Sequence, residues 1–508
     1  MNSPICTDWQ LSRSTALSPT QTSRRQFFFS EGLPDGARNV THAYAPVQKL
    51  GVTLDATQAL GEGSVSTFCS TIMRLEDGRY RMYYTVTSLG DSSMWIAVAE
   101  SGDGLAWEKR PLGQHKLAGR DTNRVVFESF PEAQDMLGQP QVLRLPDGSW
   151  RMYFWHIYGT GYHYVVARSQ DGLRWRADTP LHTVMVGHGF AGRESLVDGW
   201  EPGTGQDSLS PQDIEELWRL KGMRTNDACY VYYNDPLDRF EYYAQWFVPA
   251  IPDRTVKEDN CKEVHRFIQR RLSGDGFRWS APELIIMPDD RDPWDLQFYH
   301  LAVQYHEDWM IGSIGHYRVE AEQQTQDLEL VFSRDGRTWH RPLRGAFIPR
   351  DPDTAEAHDS LGIYPPNAWI DEGDTWLCLY GGTHTRHNEA VGKDPSKTRP
   401  IMGARWKKNR FVGISAGRPV GGFLTEPFYP QQPEITLDAD IRGWLRAELC
   451  DVFGRKHEGY HLMDAVPVAG DDTAHVLRWR QKNTVGFQQD AVRLRFEFMD
   501  GEVYSVGF

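Results

Sequence analysis

The sequence predicts an all-β protein, a five-bladed β-propeller followed by a small C-terminal β-sandwich. Three observations carry this reading. The phrase Ser-x-Asp-Gly-x-x-Trp recurs at Ser101–Trp107, Ser169–Trp175, Ser273–Trp279 and Ser333–Trp339. Apolar runs between the copies alternate with turns containing Asp and Gly, as strands do in a meander. Toward the C-terminus the rhythm changes to longer alternating stretches, with Val492, Leu494, Phe496 and Phe498 separated by Arg493, Arg495 and Glu497.

The recurring phrase is turn chemistry. Asp-Gly favours a hairpin because Gly takes positive φ without a Cβ clash. The Trp three residues later can fold back on the turn and bury a large apolar surface. Each copy therefore marks the outer hairpin of one blade.

Residues 1–46 are polar and read as an N-terminal arm. The propeller is expected over 47–420. Its first blade runs through Phe68–Leu75, the turn Glu76-Asp77-Gly78, Arg79–Thr85, Trp95–Glu100 and the first Trp phrase. The second repeats it with Gln141–Leu145, Pro146-Asp147-Gly148, Ser149–Trp155 and Tyr164–Arg168. Arg81-Met82-Tyr83 and Arg151-Met152-Tyr153 are matching pieces of the repeat. The third blade holds Cys229–Tyr233 and Phe240–Trp246, with a short helix expected near Pro211–Leu220 and a charged loop at Asp253–Glu263. The fourth holds Phe298–Tyr305, Trp309–Tyr317 and Leu328–Phe332. The fifth holds Ala368–Asp371, Asp374–Tyr380 and Ile401–Trp406, with no Trp phrase. The sandwich is expected over 421–508, where Leu445, Ala447, Leu449 and Tyr504, Val506, Phe508 also alternate.

Composition narrows the function. The formal net charge is −14, which disfavours nucleic acid and anionic lipid as partners. Mean hydropathy is −0.56 and no long apolar run occurs, so no membrane span is expected. Cys6, Cys69, Cys229, Cys261, Cys378 and Cys450 are scattered without a C-x-x-C pair, which reads as isolated reduced thiols. Ser23-Arg24-Arg25-Gln26-Phe27-Phe28 resembles the start of a twin-arginine signal, but no apolar segment follows. The expected location is the cytoplasm. The 18 Trp and 21 Tyr fit a surface that stacks on ring-shaped ligands.

An acidic residue precedes each expected inner strand: Glu62, Asp135, Asp227, Asp295 and Asp359. The inner strands of a propeller line one funnel, so these carboxylates converge there. Paired carboxyls flanked by aromatics and histidines are what glycosidic-bond chemistry needs, one protonating the leaving oxygen and another attacking or activating water. Tyr299, His300, His316, His358 and His384 are the expected sugar-binding companions of Asp295 and Asp359. His384-Thr385-Arg386-His387 reads as loop or sugar-binding histidines rather than a metal site. Arg-Asp-Pro at Arg291–Pro293 and Arg350–Pro352 reads as turn chemistry.

The blade grammar resembles the five-bladed propeller glycoside hydrolases of families 32, 43, 62, 68 and 130. It is similar to bacterial family 32-like proteins with a C-terminal β-sandwich. The sharpest points are Gly61-Glu62-Gly63, Asp77–Tyr84 and Val492–Phe508. In those families one acidic residue from each of the first three blades does the chemistry. By blade position the resemblance implies Glu62, Asp135 and Asp227 as catalytic residues. The families' Trp-Met-Asn-Asp-Pro-Asn and Glu-Cys motifs are absent.

The expected function is a glycoside hydrolase acting on a small oligosaccharide or glycoside, with no cofactor and a structural calcium ion left open. Two alternatives stand beside it. A phosphorylase or other glycosyl-transferring enzyme would need Arg193, Arg224, Arg350 or His384 for phosphate. A non-catalytic sugar-binding protein would hold its carboxylates too far apart to act together.

Overall fold

The computed structural model describes residues 24–508 except 92, 129–135, 159–160, 178–182, 188–226, 250–263, 319–323, 355, 388–398, 483–484 and 486–489. The expected helix near Pro211–Leu220 and the loop Asp253–Glu263 lie outside the described residues. The chain divides into two compact units: Pro46–Tyr305 with Met310–Lys408, and Met1–Ala45 with His306–Trp309 and Asn409–Phe508.

The first unit is a five-bladed propeller. Blade one pairs Glu62–Ser66 and Ile72–Arg74 with Tyr80–Ser88, followed outward by Met94–Ser101 and Trp107–Glu108. Blade two runs Leu137–Arg144, Trp150–Tyr158, Gly161–Ser169 and Arg176–Ala177. Blade three runs Cys229–Asn234, Arg239–Pro249, Val264–Ser273 and Glu283–Ile286. Blade four runs Leu296–His306, Trp309–Arg318 and Thr325–Ser333, with His340 bridged to Phe332 at its rim. Blade five pairs Gly362–Tyr364 and Ile370–Asp371 with Thr375–Thr383, then Ile401–Lys407. Its outermost strand is Gln48–Leu54, from the start of the unit, so the ring closes through the N-terminal strand.

Period-two alternation builds the walls between blades. In Tyr80–Ser88 the side chains of Tyr80, Met82, Tyr84 and Val86 pack with Leu377, Leu379 and Ile401 of blade five. Tyr83 points the other way, among Val142, Met152 and Phe154 of blade two. Both faces of a middle strand are buried, so it reads as a nearly continuous apolar run.

The Trp phrases are latches between blades. In Ser101–Trp107, Asp103 Oδ1 accepts the Leu105 and Ala106 amides at 2.9 and 2.8 Å. Those amides hold its carboxyl below the usual carboxylate range. Gly104 has φ +77, and Trp107 Nε1 donates to its carbonyl at 3.0 Å. The neighbouring blade then seizes the turn. Tyr83 OH donates to Gly172 O at 2.7 Å and Arg81 Nη1 to Asp171 O at 3.1 Å. One blade on, Tyr153 OH donates to Gly276 O at 2.8 Å and Arg151 Nη1 to Asp275 O at 2.7 Å. On the next, Arg270 Nη1 reaches Asp335 O at 2.7 Å. The Arg-Met-Tyr repeat is thus the other half of the Trp-phrase repeat.

The second unit is one eight-stranded sheet folded over a single core. Its long strands Thr436–Asp451 and Val492–Gly507 pair along their length, with register shifts between Asp438/Ala439 and between Ile441/Trp444. Leu437, Ala439 and Ile441 before the second shift, and Leu445, Ala447 and Leu449 after it, enter the same core. The two halves therefore cover that core as the layers of a sandwich. Val492, Leu494, Phe496 and Phe498 are all fully buried in it. Arg25–Phe27, Asp35–Arg38 and Thr41–Tyr44, read from sequence as arm, are strands of this sheet. Their partners lie more than 350 residues away along the chain, at Leu424, Ser415 and Gly507, so no local pattern marks them. Among the described residues no helix is long and apolar enough to cross a membrane.

Candidate functional site

The inner strands of the first three blades are kinked where they approach the centre. Cys69, Gln139 and Ala228 all have positive φ, at 49°, 56° and 58°. The kink in blade one sets Phe68 at the middle of the ring. Its side chain lies 6.4 Å from Tyr230, 6.0 Å from Tyr299, 5.4 Å from His300 and 5.2 Å from Tyr364, measured between ring centroids. Those residues come from the inner strands of blades three, four and five. The funnel therefore has an aromatic floor.

Asp227 stands beside that floor, one residue before the kink of blade three. Gln245 Nε2 donates to its Oδ1 at 2.9 Å. Gln139 Nε2 lies 3.4 Å from Oδ2, and Tyr299 OH donates at 3.3 and 3.4 Å to the two oxygens. The Gln139 Oε1 accepts the Ala228 amide at 3.2 Å, so this side chain spans two blades. Arg266, buried under Tyr299, Tyr317 and Phe247, donates from Nη1 to Gln297 Oε1 at 2.7 Å. Burial pushes the Asp227 carboxyl up to about 6, against the pull of Arg266 and of the hydrogen bonds from Tyr299, Gln139 and Gln245.

His387 completes the group. Its Nδ1 is 2.7 Å from Tyr364 OH, and its ring lies 4.7 Å from Tyr299 and 5.0 Å from Tyr317. Burial holds the Tyr364 hydroxyl up at about 12. The ring of His387 is only half-buried.

Glu62, Asp295 and Asp359 meet partners of their own. Glu62 is 1% exposed and ion-paired with Lys109. It also accepts the Thr57 amide at 2.7 Å and Tyr84 OH at 3.1 Å. Those contacts tie Glu62 to the start of blade one. Asp135 lies outside the described residues. Asp295 is buried against Arg318, at 2.9 Å. Asp359 is fully buried between Lys49 Nζ at 2.6 Å, Tyr380 OH at 2.8 Å and the Asp351 amide at 3.0 Å, and so ties the closing strand to blade five.

His316 pairs with Glu329, which also binds Arg341. Arg341 in turn pairs with Asp292 at 2.6 Å, so the first Arg-Asp-Pro belongs to a buried ion network. His300 sits fully buried under Phe68, and burial lowers it to about 3, so its ring is neutral. His358 and His384 are half-buried in loops. The structure thus joins Asp227 with Tyr299 and, through Phe68, with His300. Gln245, Arg266, Phe68, Tyr364 and His387 join them without having been expected. Gln139 stood unrecognised in the stretch before the second inner strand. Only the His384–His387 phrase had flagged His387. The second- and third-strand residues Gln245 and Arg266 carry no local signal.

Of the phosphate donors considered from sequence, Arg193 and Arg224 lie outside the described residues. Arg350 is engaged with Asp327 and the Ser360 carbonyl. Among the described residues no three His, Cys, Asp or Glu side chains gather as a metal site. The described cysteines Cys69, Cys229, Cys378 and Cys450 are buried free thiols.

The chain is similar in structure to carbohydrate-acting enzymes. One is described as a glycoside hydrolase, with 15% identity, a TM-score of 0.45, and 72% of this chain and 92% of that one covered. A thermostable family-43 glycoside hydrolase matches at 11% identity and TM-score 0.42, covering 68% of this chain and 90% of that one. A third comes from work on family-130 mannoside phosphorylases and hydrolases that target β-1,2-mannosidic linkages in Candida mannan. It matches at 10% identity and TM-score 0.43, covering 74% of this chain and 96% of that one. No protein-family model and no curated protein sequence matches the chain.

Proposed function

We propose that this protein cleaves a glycosidic bond of a small oligosaccharide or glycoside, with Asp227 as the general acid. The observation that carries the reading is the Asp227 carboxyl, raised to about 6 by burial beside an aromatic floor. A carboxyl of that acidity keeps its proton at mildly acidic pH and gives it up to a departing oxygen. Phe68, Tyr299 and Tyr364 pack as aromatic rings beside Asp227, and the Gln139 and Gln245 amides face its carboxyl. Glu62 is left out of this reading; it is ion-paired with Lys109 and accepts hydrogen bonds from the Thr57 amide and Tyr84 OH.

The test is turnover of aryl glycosides by the native protein and by Asp227→Asn. For poor leaving groups, Asp227→Asn is expected to lower kcat/KM by about 10²-fold or more, and to spare 2,4-dinitrophenyl glycosides, whose leaving group needs no proton. Sugar binding without turnover of any glycoside would overturn the reading in favour of a binding protein.

A further inference from the structure

We propose that the left-handed bend at Gln139 is a strained element that aims the Gln139 amide at Asp227, which makes Gln139 a positioning residue for the acid. This inference rests on the glycosidase reading and goes beyond it, to how the acid is held. Gln139 has a φ of 56°, a conformation that a glutamine keeps only where its surroundings impose it. Blade one imposes it here. The Gln139 backbone N–H donates to Thr85 Oγ1 at 2.8 Å. A Cβ on Gly138 would meet Thr85 Cγ2 at 3.2 Å, so the chain before the bend lies close against the same residue. The register of blade two shifts between Gly138 and Gln141, a bulge of the kind that re-aims a side chain.

The bend sends the side chain to blade three, where one amide makes two contacts. Its Oε1 accepts the Ala228 N–H at 3.2 Å, and its Nε2 lies 3.4 Å from Asp227 Oδ2. The first contact fixes which way the amide faces, so its nitrogen is turned to the carboxyl. Ala228 is itself a kink, with φ 58°, and the kink of blade one, Cys69, gives its carbonyl to Gln141 Nε2. Side chains of blade two thus tie the kinks of blades one and three to its own. Gln245 Nε2 holds the other carboxyl oxygen of Asp227 at 2.9 Å. Amide donors favour the ionised carboxyl and restrain the direction in which it meets a glycosidic oxygen. Arg266 and Cys229 of blade three, Tyr299 of blade four, Tyr364 of blade five and Cys69 of blade one share its electrostatic surroundings.

The experiment compares Gln139→Ala, Gln139→Gly, Thr85→Val and Asp227→Asn by thermal melts and by pH profiles on phenyl and 2,4-dinitrophenyl glycosides. Both Gln139 variants are expected to lose about tenfold in kcat on phenyl glycosides with KM little changed, and to spare the 2,4-dinitrophenyl ones. Their alkaline limb moves up by roughly 0.5 pH unit, since a donor to the ionised carboxyl has gone. Gln139→Gly is expected to melt about 2 °C above Gln139→Ala, because both lack the amide and they differ in the Cβ at the bend. Thr85→Val loosens the bend from blade one and shows the same leaving-group pattern at a smaller loss. Gln139 variants with the native rate and limb, an equal loss on both substrates, or alanine and glycine variants that melt together would each overturn the inference. The acid reading survives those outcomes if Asp227→Asn still loses phenyl glycosides selectively. Asp227→Asn without that selectivity, or absence of native turnover on every glycoside, would remove both readings together.

Discussion

Gly276→Ala separates the latch between blades from ordinary turn strain. Gly276 has φ +75, so any side chain there is strained by about 1 kcal/mol. Its added Cβ would also land on Arg151 Nη1 and Tyr153 OH, closer than atoms can approach. Those two groups are the donors that hold Gly276 O and Asp275 O from blade two, at 2.8 and 2.7 Å. Losing a neutral hydrogen bond costs about 1 kcal/mol and a charged one about 2 kcal/mol. The expected total is about 4 kcal/mol. Gly148→Ala is the control. Its φ is +80, but nothing lies within 4 Å of the new Cβ, so about 1 kcal/mol is expected.

The assay is urea unfolding followed by tryptophan fluorescence, with Tyr153→Phe as a third variant. Tyr153→Phe should cost about 1 kcal/mol alone and add little to Gly276→Ala, because both remove the same bond. Equal losses for the two glycine variants, or full additivity with Tyr153→Phe, would refute the latch.

Two further outcomes follow from the carboxylates. The raised Asp227 carboxyl binds its proton more tightly in the folded state than in the unfolded one. It therefore leaves stability untouched below pH 3.8 and lowers it as pH rises from about 4 to about 6. The loss reaches about 3 kcal/mol at neutral pH, an upper value for a half-buried group. Asp227→Asn is expected to melt higher than native at pH 7.5 and no higher at pH 4; equal differences at both pH values would contradict it. Glu62→Gln strands the nearly buried Lys109 ammonium and is expected to cost about 3 kcal/mol in unfolding free energy. The folded variant should keep any native kcat within a few-fold, and complete loss of turnover in a fully folded variant would return Glu62 to the site.

Much of the fold was legible because its repeats are local. The Trp phrase carries its own hydrogen bonds within seven residues, and Val492–Phe508 alternates within one strand. The strands Arg25–Phe27 to Thr41–Tyr44 were not legible, since they pair with the far end of the chain. The site was legible only in part for a similar reason. An acidic residue precedes every inner strand, but a sequence does not show which cation each will meet. Lys109 takes Glu62, Lys49 takes Asp359 and Arg318 takes Asp295. Asp227 meets Tyr299, Gln139 and Gln245, with Arg266 near by; of these, Gln245 and Arg266 lie on second and third strands with no marking of their own.

The proposed role of Asp227 as the acid is tested by Gln139→Glu. The substitution keeps the side chain's length and leaves an oxygen for the Ala228 amide, now 3.2 Å from Oε1. It places a second carboxyl where the amide nitrogen lies 3.4 Å from Asp227 Oδ2. Two like charges at that separation repel by about 5 kcal/mol at an effective dielectric of 20. They cannot both ionise cheaply, so one proton is shared between them. The alkaline limb of kcat/KM, which reports the general acid, is expected to move up by roughly one pH unit or more. Asp227 is now raised by burial alone; with a carboxyl neighbour it would be raised by repulsion as well. An unmoved limb in a folded, active Gln139→Glu variant would show that the group titrating there is not Asp227.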